Sequence, residues 1–492
     1  IWTKNRKGRG YGVYDYKSHG TPHKRHSELF WKTKQQFGEK YDVEFDGFGD
    51  PAPEEERALK DQAVSHMETV MSVLERDQAL VDYLSGRLVE LGDLVPEVIK
   101  ECRIGKSNPF NDSVITDYES YPDDLFVEPG TNAPNRVALA KFGSWLNSYV
   151  REKYGRPMVI AASADLADST NISGFGKGWN DKPDFGFYNR DSNPNGTVLP
   201  QAITEFANAG IVVGMTTVNL SEKPYEEFNG FVGACSTYAS FSYLKYGPIR
   251  LFSQIAQDSE LKVGRLLWVA GHSGPETAED ARTHFGIFSP GVTQLFPEGH
   301  VLNLYPWEHN EVAPVLGAAL GTDVPVIVLH LTRPPIEIPD RQALGMASHM
   351  EAAKGAYIIR NYSEDKPHEG TVIIRGTSCT SNLMKILPDI NQDGPNVKII
   401  AAISWGLFQR QTEEYRQSVL SDEDMHDAMV ITNGGLRLMH SWIANPVVKE
   451  YSLASDWDNR WRSGGSVDEV VEEAHLSKDW LEKGIGRFSS ER

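Results

Sequence analysis

VPVIVLHL, residues 324–331, is an apolar run that breaks at once into Thr332, Arg333 and two prolines. A run of this length, stopped by chain breakers, reads as a strand. MVIAA at 158–162, RLLWVAG at 265–271 and VLNL at 301–304 have the same character. Helical patterns fall near 136–153, 200–213, 236–257 and 309–320. Strands alternating with helices predict an α/β fold, a parallel sheet with helices on both faces. Further on, TVIIRG at 371–376, VKIIAAI at 397–403 and AMVIT at 428–432 repeat the alternation and predict a second, smaller α/β domain. Upstream, residues 1–55 read as irregular after one initial strand. Glu55 to Ile104 reads as helical, with Leu59, Ala63, Met67, Val70, Met71 and Leu74 on one stripe. The polar, turn-rich segment 107–135 sets a boundary near residue 130. The expected layout is thus 1–130, 131–335, a linker over 336–368, and 369–492.

The chain has 492 residues, 40% of them hydrophobic, enough for two or three domains with substantial cores. A net charge of −19 excludes nucleic acid and anionic membranes as default partners. Three widely spaced cysteines, Cys102, Cys235 and Cys379, fit a reducing, cytoplasmic setting and make neither a disulfide framework nor a zinc site. No apolar run reaches the roughly 18 residues of a membrane helix. The chain starts with Ile and enters a glycine-rich turn, which raises the expectation that an upstream portion exists elsewhere.

The candidate chemistry centres on Glu205, in ITEFANAGIVVGM at 203–215. Ile203, Phe206, Ala207, Gly210 and Ile211 follow helical spacing, while Ala202, Ala209, Val212 and Val213 fill much of the other face. The stretch therefore reads as a buried helix with a carboxyl inside it. Burying a carboxylate without a partner costs several kcal/mol, and otherwise its pKa rises until it keeps its proton. Such an acid can donate a hydrogen bond to a ring nitrogen. A glutamate that merely caps or edges a helix is the competing reading.

Ligands of open parallel sheets bind beyond the carboxyl ends of the strands. Asp165 and Ser169 follow MVIAA. His272 follows RLLWVAG, with Glu279, Asp280, Arg282 and His284 close behind, and Arg333 follows VPVIVLHL. Each is also an ordinary cap or turn residue, but they gather at one edge of one sheet.

The ordered set ASADL, ITEF, an aromatic helix, EDARTH and LTR resembles the middle domain of the transketolases. GRGYG and SHG near the start resemble the end of that family's diphosphate-binding domain, and 370–492, with WGLFQRQTEEYRQSVL, its C-terminal domain. The resemblance implies the thiamine-diphosphate-binding fold followed by a transketolase C-terminal domain. It implies that Glu205 hydrogen-bonds N1′ of the cofactor's aminopyrimidine, favouring the imino tautomer that takes the thiazolium C2 proton. It implies that Tyr238 and Phe241 pack on that ring and that Asp165 closes the cofactor site from a neighbouring subunit. Arg136, Ser169, His272 and Arg333 match the residues that grip the sugar phosphate, a dianion that suits arginine's fork. Asp280 matches the reader of a substrate hydroxyl, His284 the histidine beside the reacting end of the donor, and His19 a histidine near the thiazolium.

The implied reaction moves a two-carbon ketol unit between sugar phosphates, in pentose phosphate chemistry, within a homodimer. The family's GEDGPTHQ stands here as AEDARTHF, so Arg282 adds a cation. The Gly/Asn/Asp-rich segment 173–196 is expected to lid the site. The family's GDG…N signature for Mg²⁺ and diphosphate is not in this sequence, so the metal's ligands are expected elsewhere, including on a separate subunit of a heterotetramer. The remaining readings are a 2-oxo acid dehydrogenase E1-type or deoxyxylulose-phosphate-synthase-type decarboxylating enzyme, or a non-catalytic subunit of a split enzyme.

Overall fold

A computed structural model describes Val13 and residues 24–93, 107–277, 279, 281–446 and 448–492. The chain divides into two compact units, Ile1–Glu97 and Val98–Arg492. His19, Asp280 and the opening strand read in IWTKNR lie outside the described residues.

The first unit is helical. α1 (Glu28–Tyr41) starts where the Ser27 side chain accepts from the Phe30 amide, and Asp42 ends it in the left-handed region. This helix corrects the irregular reading of residues 1–55. α2 (Glu56–Arg76) and α3 (Gln78–Asp93) follow. Trp31, Phe45 and Val73 are buried here, whereas Met67, Met71 and Leu74 of the expected stripe are exposed.

The second unit holds two sheets. The larger has six strands in the order β3-β2-β4-β5-β7-β6, all parallel. They are β2 (Val159–Ser163), β3 (Val198–Pro200), β4 (Val232–Tyr238), β5 (Leu266–Gly271), β6 (Val301–Leu304) and β7 (Val326–His330). A short strand β1 (Asn132–Ala133) pairs separately with β8 (Ile336–Glu337).

Alternate residues of the large sheet enter different cores, because successive side chains of a strand point to opposite faces. Leu267, Val269 and Ala161 join Leu139, Phe142 and Val315 of α4 (Asn135–Tyr154) and α7 (Val312–Leu320). Leu266, Trp268 and Ala162 join Ala209, Val212, Ile249 and Phe252 of α5 (Glu205–Thr217) and α6 (Tyr246–Asp258). The expectation of helices on both faces is met.

Two of these strands were not expected. β3 falls between the segment read as a lid, 173–196, and the helix read near 200–213, and residues of β4 were read as the start of a helix over 236–257. VGACSTY lacks large apolar residues because α5 lies directly on it. A Cβ added at Gly233 would come within 2.5 Å of the Val212 carbonyl oxygen.

The smaller sheet runs β13-β12-β10-β11-β9. β10 (Thr371–Arg375), β11 (Lys398–Ala402), β12 (Ala428–Thr432) and β13 (Leu453–Ala454) are parallel, and β9 (Ala356–Arg360) is antiparallel to β11. β9 lies inside the segment expected to be a linker. Its Tyr357 and Ile359 belong to a core that runs from one sheet to the other.

Candidate active site

Chain order makes the site. From β2 the chain steps outward to β3, then returns across β2 to β4, so the strand order reverses between β2 and β4. At such a switch point the flanking connections separate and leave a crevice at the carboxyl ends of the strands. β4 ends there at Tyr238, β2 leads there into Asp165 and Ser169, and α5 begins there with Glu205.

Glu205 is 6% exposed, and Thr237 Oγ1 donates to its Oε1 at 3.2 Å. That hydroxyl is its one hydrogen-bond partner among the described residues, and no cation pairs with it. A helix N-terminus favours a negative charge at this position. The reason given from sequence for this burial needs correction. Ile203, Phe206 and Ile211, expected to face inward, are 71%, 66% and 38% exposed, and the buried side is Glu205, Asn208, Ala209, Val212 and Thr216. The helix also starts at Glu205, not near 200, so the carboxyl sits at its tip and enters the crevice end-on.

Beneath it lies a residue that sequence reasoning missed. Lys245 is fully buried, donating to the main-chain oxygens of Cys235 at 3.0 Å and Val269 at 3.3 Å, with its ammonium over the Trp268 ring. Burial lowers its pKa to about 8, against the opposing fields of Cys235 and Glu205. Only its position in an otherwise apolar, aromatic stretch signals it in the sequence.

Tyr238 joins the other candidates. Its hydroxyl lies 3.0 Å from Ser169 Oγ, and its ring centroid is 3.8 Å from that of His272 and 4.9 Å from that of His284. Phe241 meets His284 edge-on at 5.9 Å. Arg136 Nη1 donates to the Ser169 main-chain oxygen at 2.5 Å. His272 is buried and holds a left-handed backbone, φ 59°, which costs a non-glycine residue energy and persists only where the surroundings fix it. Here its carbonyl accepts from the Gly286 amide at 3.0 Å, and Ser240 Oγ donates to the His284 carbonyl at 2.9 Å. The 281–286 segment is thereby pinned across the ends of β4 and β5.

Arg333 is half-buried beyond β7. The preceding Thr332 amide donates to Asn135 Oδ1 at 2.9 Å, and Asn135 precedes Arg136. One asparagine thus fixes the backbones that carry both arginines. Asp165 is exposed, and Arg282 turns its Nε to the Arg462 carbonyl at 3.1 Å.

The expected lid is not one over its first half. Asn147 Nδ2 donates to the Phe175 and Val159 carbonyls, and the Trp179 amide donates to Ser148 Oγ. This stretch therefore runs back along α4 to the amino end of β2, away from the crevice.

Residues 142–334 match the family model of the transketolase pyrimidine binding domain. Chloroplastic transketolase of Zea mays is 30% identical over 196 residues, covering 39% of this chain and 26% of that protein. Chloroplastic transketolase of Solanum tuberosum is 28% identical over 268 residues, covering 54% and 31%. Among solved structures, transketolase from Leishmania mexicana superposes with a TM-score of 0.59 at 14% identity, over 94% of this chain and 58% of that one. A transketolase complex with sedoheptulose 7-phosphate from Pichia stipitis gives 0.56 at 16%, over 88% and 55%. These structures share the fold. The matched region spans less than two thirds of each relative's length.

Proposed function

We propose that this chain, a member of the transketolase family, carries the pyrimidine-side half of a thiamine-diphosphate site and takes part in transferring a two-carbon ketol unit between sugar phosphates. The observation that carries the reading is Glu205. It is a buried carboxyl with a single hydroxyl partner, at a helix tip that opens on the crevice where the sheet's strand order reverses. That donor set suits a heterocyclic nitrogen. When bound, the cofactor supplies the carbanion-stabilising chemistry that no amino-acid side chain provides.

The residues of this chain then have distinct tasks. Glu205 would offer its carboxyl as the hydrogen-bond partner of the pyrimidine nitrogen. Tyr238 and Phe241 give the ring an apolar wall, and Asp165 borders the site. Arg136, Ser169, His272 and Arg333 hold the sugar phosphate, Asp280 reads a hydroxyl, and His284 and His19 serve proton transfer beside the reacting carbon. Mg²⁺ and the diphosphate belong to groups other than those named. The sugar-phosphate class is supported by the sedoheptulose 7-phosphate complex of the similar Pichia stipitis enzyme.

A second copy of the chain is the proposed partner. Phe206 and Ile211 on α5, with Leu251 and Ile255 on α6, leave an apolar face open beside Glu205. Contiguous apolar surface of this kind marks an interaction site.

The test is ketol transfer from a ketose phosphate to an aldose phosphate, measured on the complete enzyme with thiamine diphosphate and Mg²⁺. Glu205→Ala is expected to abolish turnover with a modest effect on folding. Near-parental activity in that variant removes the proposal. Turnover of pyruvate that is indifferent to Arg333→Ala would move the reading to a 2-oxo acid decarboxylating enzyme.

A further inference from the structure

A second buried cation lies where the two sheets meet, without a carboxylate partner among the described residues. Arg375 is the last residue of β10 and is 4% exposed. One Nη donates to the Leu438 carbonyl at 3.0 Å, and the guanidinium lies 4.1 Å from the ring centroid of Tyr305. Tyr305 follows β6 and stacks on His330, with centroids 4.1 Å apart and planes within 6° of parallel. No carboxylate pairs with Arg375 among the described residues. His330 adds no second positive charge, since burial first and then the field of Arg375 hold it well below its ordinary pKa, as a neutral ring.

Two donors are left over. Arg375 Nε and the Tyr305 hydroxyl are both shielded from solvent, and neither has a hydrogen-bond partner among the described residues. Both residues line a cavity of about 470 Å³, a volume in the range of small-molecule sites. Trp405 and Trp442 line it too, with Ser404 and Arg410. Its one acidic lining residue, Glu298, is exposed to solvent. None of the residues assigned above to the Glu205 crevice lines it.

Leaving an ionised group buried and unpaired is costly, and so is leaving a buried donor unmade. A cavity that combines both, has room for a ligand and has aromatic walls is short of an anion. We infer that it binds a small organic anion, whose carboxylate or phosphate is held by Arg375 and the Tyr305 hydroxyl while the rest of the molecule lies against Trp405 and Trp442. Because β6 and β10 belong to different sheets, the bound anion clamps the two domains at their junction. The inference does not depend on the Glu205 reading.

Isothermal titration of the purified protein with inorganic phosphate and, separately, with citrate tests it. At least one anion is expected to bind and to raise the melting temperature. Arg375→Gln should weaken that binding about tenfold or more and Tyr305→Phe about threefold, the scale of a lost charged and a lost neutral hydrogen bond. Arg333→Ala, which alters the Glu205 crevice, should leave the Arg375-dependent part of the binding unchanged. Binding of phosphate alone identifies a phosphorylated ligand, and of citrate alone a polycarboxylate. The site is disproved if neither anion binds, or if binding survives in Arg375→Gln and is lost in Arg333→Ala. Should Arg375→Gln fail to fold, parental affinity in Tyr305→Phe together with Arg410→Gln overturns it equally.

Discussion

Two clusters of buried charge in the second unit use the same residue types to different ends. Behind β6, Arg341 lies 2.7 Å from Glu308 and 2.8 Å from Glu311. Tyr357 donates to Glu311 at 2.5 Å, and the Trp307 indole donates to Tyr357 at 2.8 Å. The amides of Trp307 and Asn310 take the remaining carboxylate oxygens. Burial, partly offset by Arg341, pushes Glu311 up to about 7, and still every oxygen has a partner. At the β2/β4 switch, by contrast, Glu205 has one hydroxyl, and Lys245 has main-chain carbonyls, the Cys235 thiol and an indole face but no carboxylate pair among the described residues. A network whose carboxylate oxygens are all paired, though Arg341 Nε has no partner among the described residues, fixes one arrangement of the chain, because breaking any of those links strands a charge. An unsaturated one retains donor and acceptor capacity for a molecule that is not part of the chain.

The comparison is broken most directly at Glu205. Glu205→Gln keeps shape and removes the acid, so turnover should fall by roughly 10²–10⁴-fold, the range for loss of a positioned proton-transfer group. The denaturation midpoint should hardly move. A large stability loss with modest loss of turnover would make Glu205 a structural residue like Glu311.

Arg341→Met is the mirror experiment. It leaves Glu308 and Glu311 buried without their cation and should cost about 3–5 kcal/mol in chemical denaturation. Turnover per folded molecule should stay parental. Equal stability of variant and parent would show that the network is redundant.

How much of this was legible beforehand follows the same division. Long apolar strands such as Val326–His330 and Ala428–Thr432 announced themselves, because central parallel strands need bulk on both faces. β4 did not, since the closeness of α5 forces small residues there and erases the pattern. Glu205 was singled out as buried through a stripe that proves to face outward, because a 3.6-residue period gives a face without saying whether core or partner covers it. Lys245 was signalled only by the apolar, aromatic stretch around it, and Thr237 and Asn135 carried no signal. Their roles come from contacts across 10 to 197 positions of sequence, which only the folded chain brings together.

Lys245 sharpens the comparison through pH. Its pKa falls from 10.5 to about 8 on folding. Between those values the unfolded chain holds a proton that the native chain does not, so this residue makes stability rise with pH across that window. Below about pH 8 the cost of the buried ammonium is present in full, on the order of 3 kcal/mol. Lys245→Met should therefore be more stable than the parent at pH 7, with the gap closing toward pH 10.5. A gap that does not change with pH would mean that packing, and not charge, separates the two proteins.

The smallest expected effect is at the rim of the crevice. Arg333 is half-buried, and Asn135 fixes the backbone beside it through Thr332. Removing its side chain should leave the fold and the Glu205 chemistry intact. Arg333→Ala should raise KM for phosphorylated sugars by an amount equivalent to about 1.5–3 kcal/mol, the worth of a hydrogen bond to a charged group, with kcat nearly unchanged. Arg333→Lys should recover part of it, since a lysine restores the charge without the fork. If phosphorylated and unphosphorylated sugars lose equally, Arg333 does not read phosphate. The unsaturated cluster would then serve the cofactor alone, and substrate recognition would have to come from Arg136 and His272.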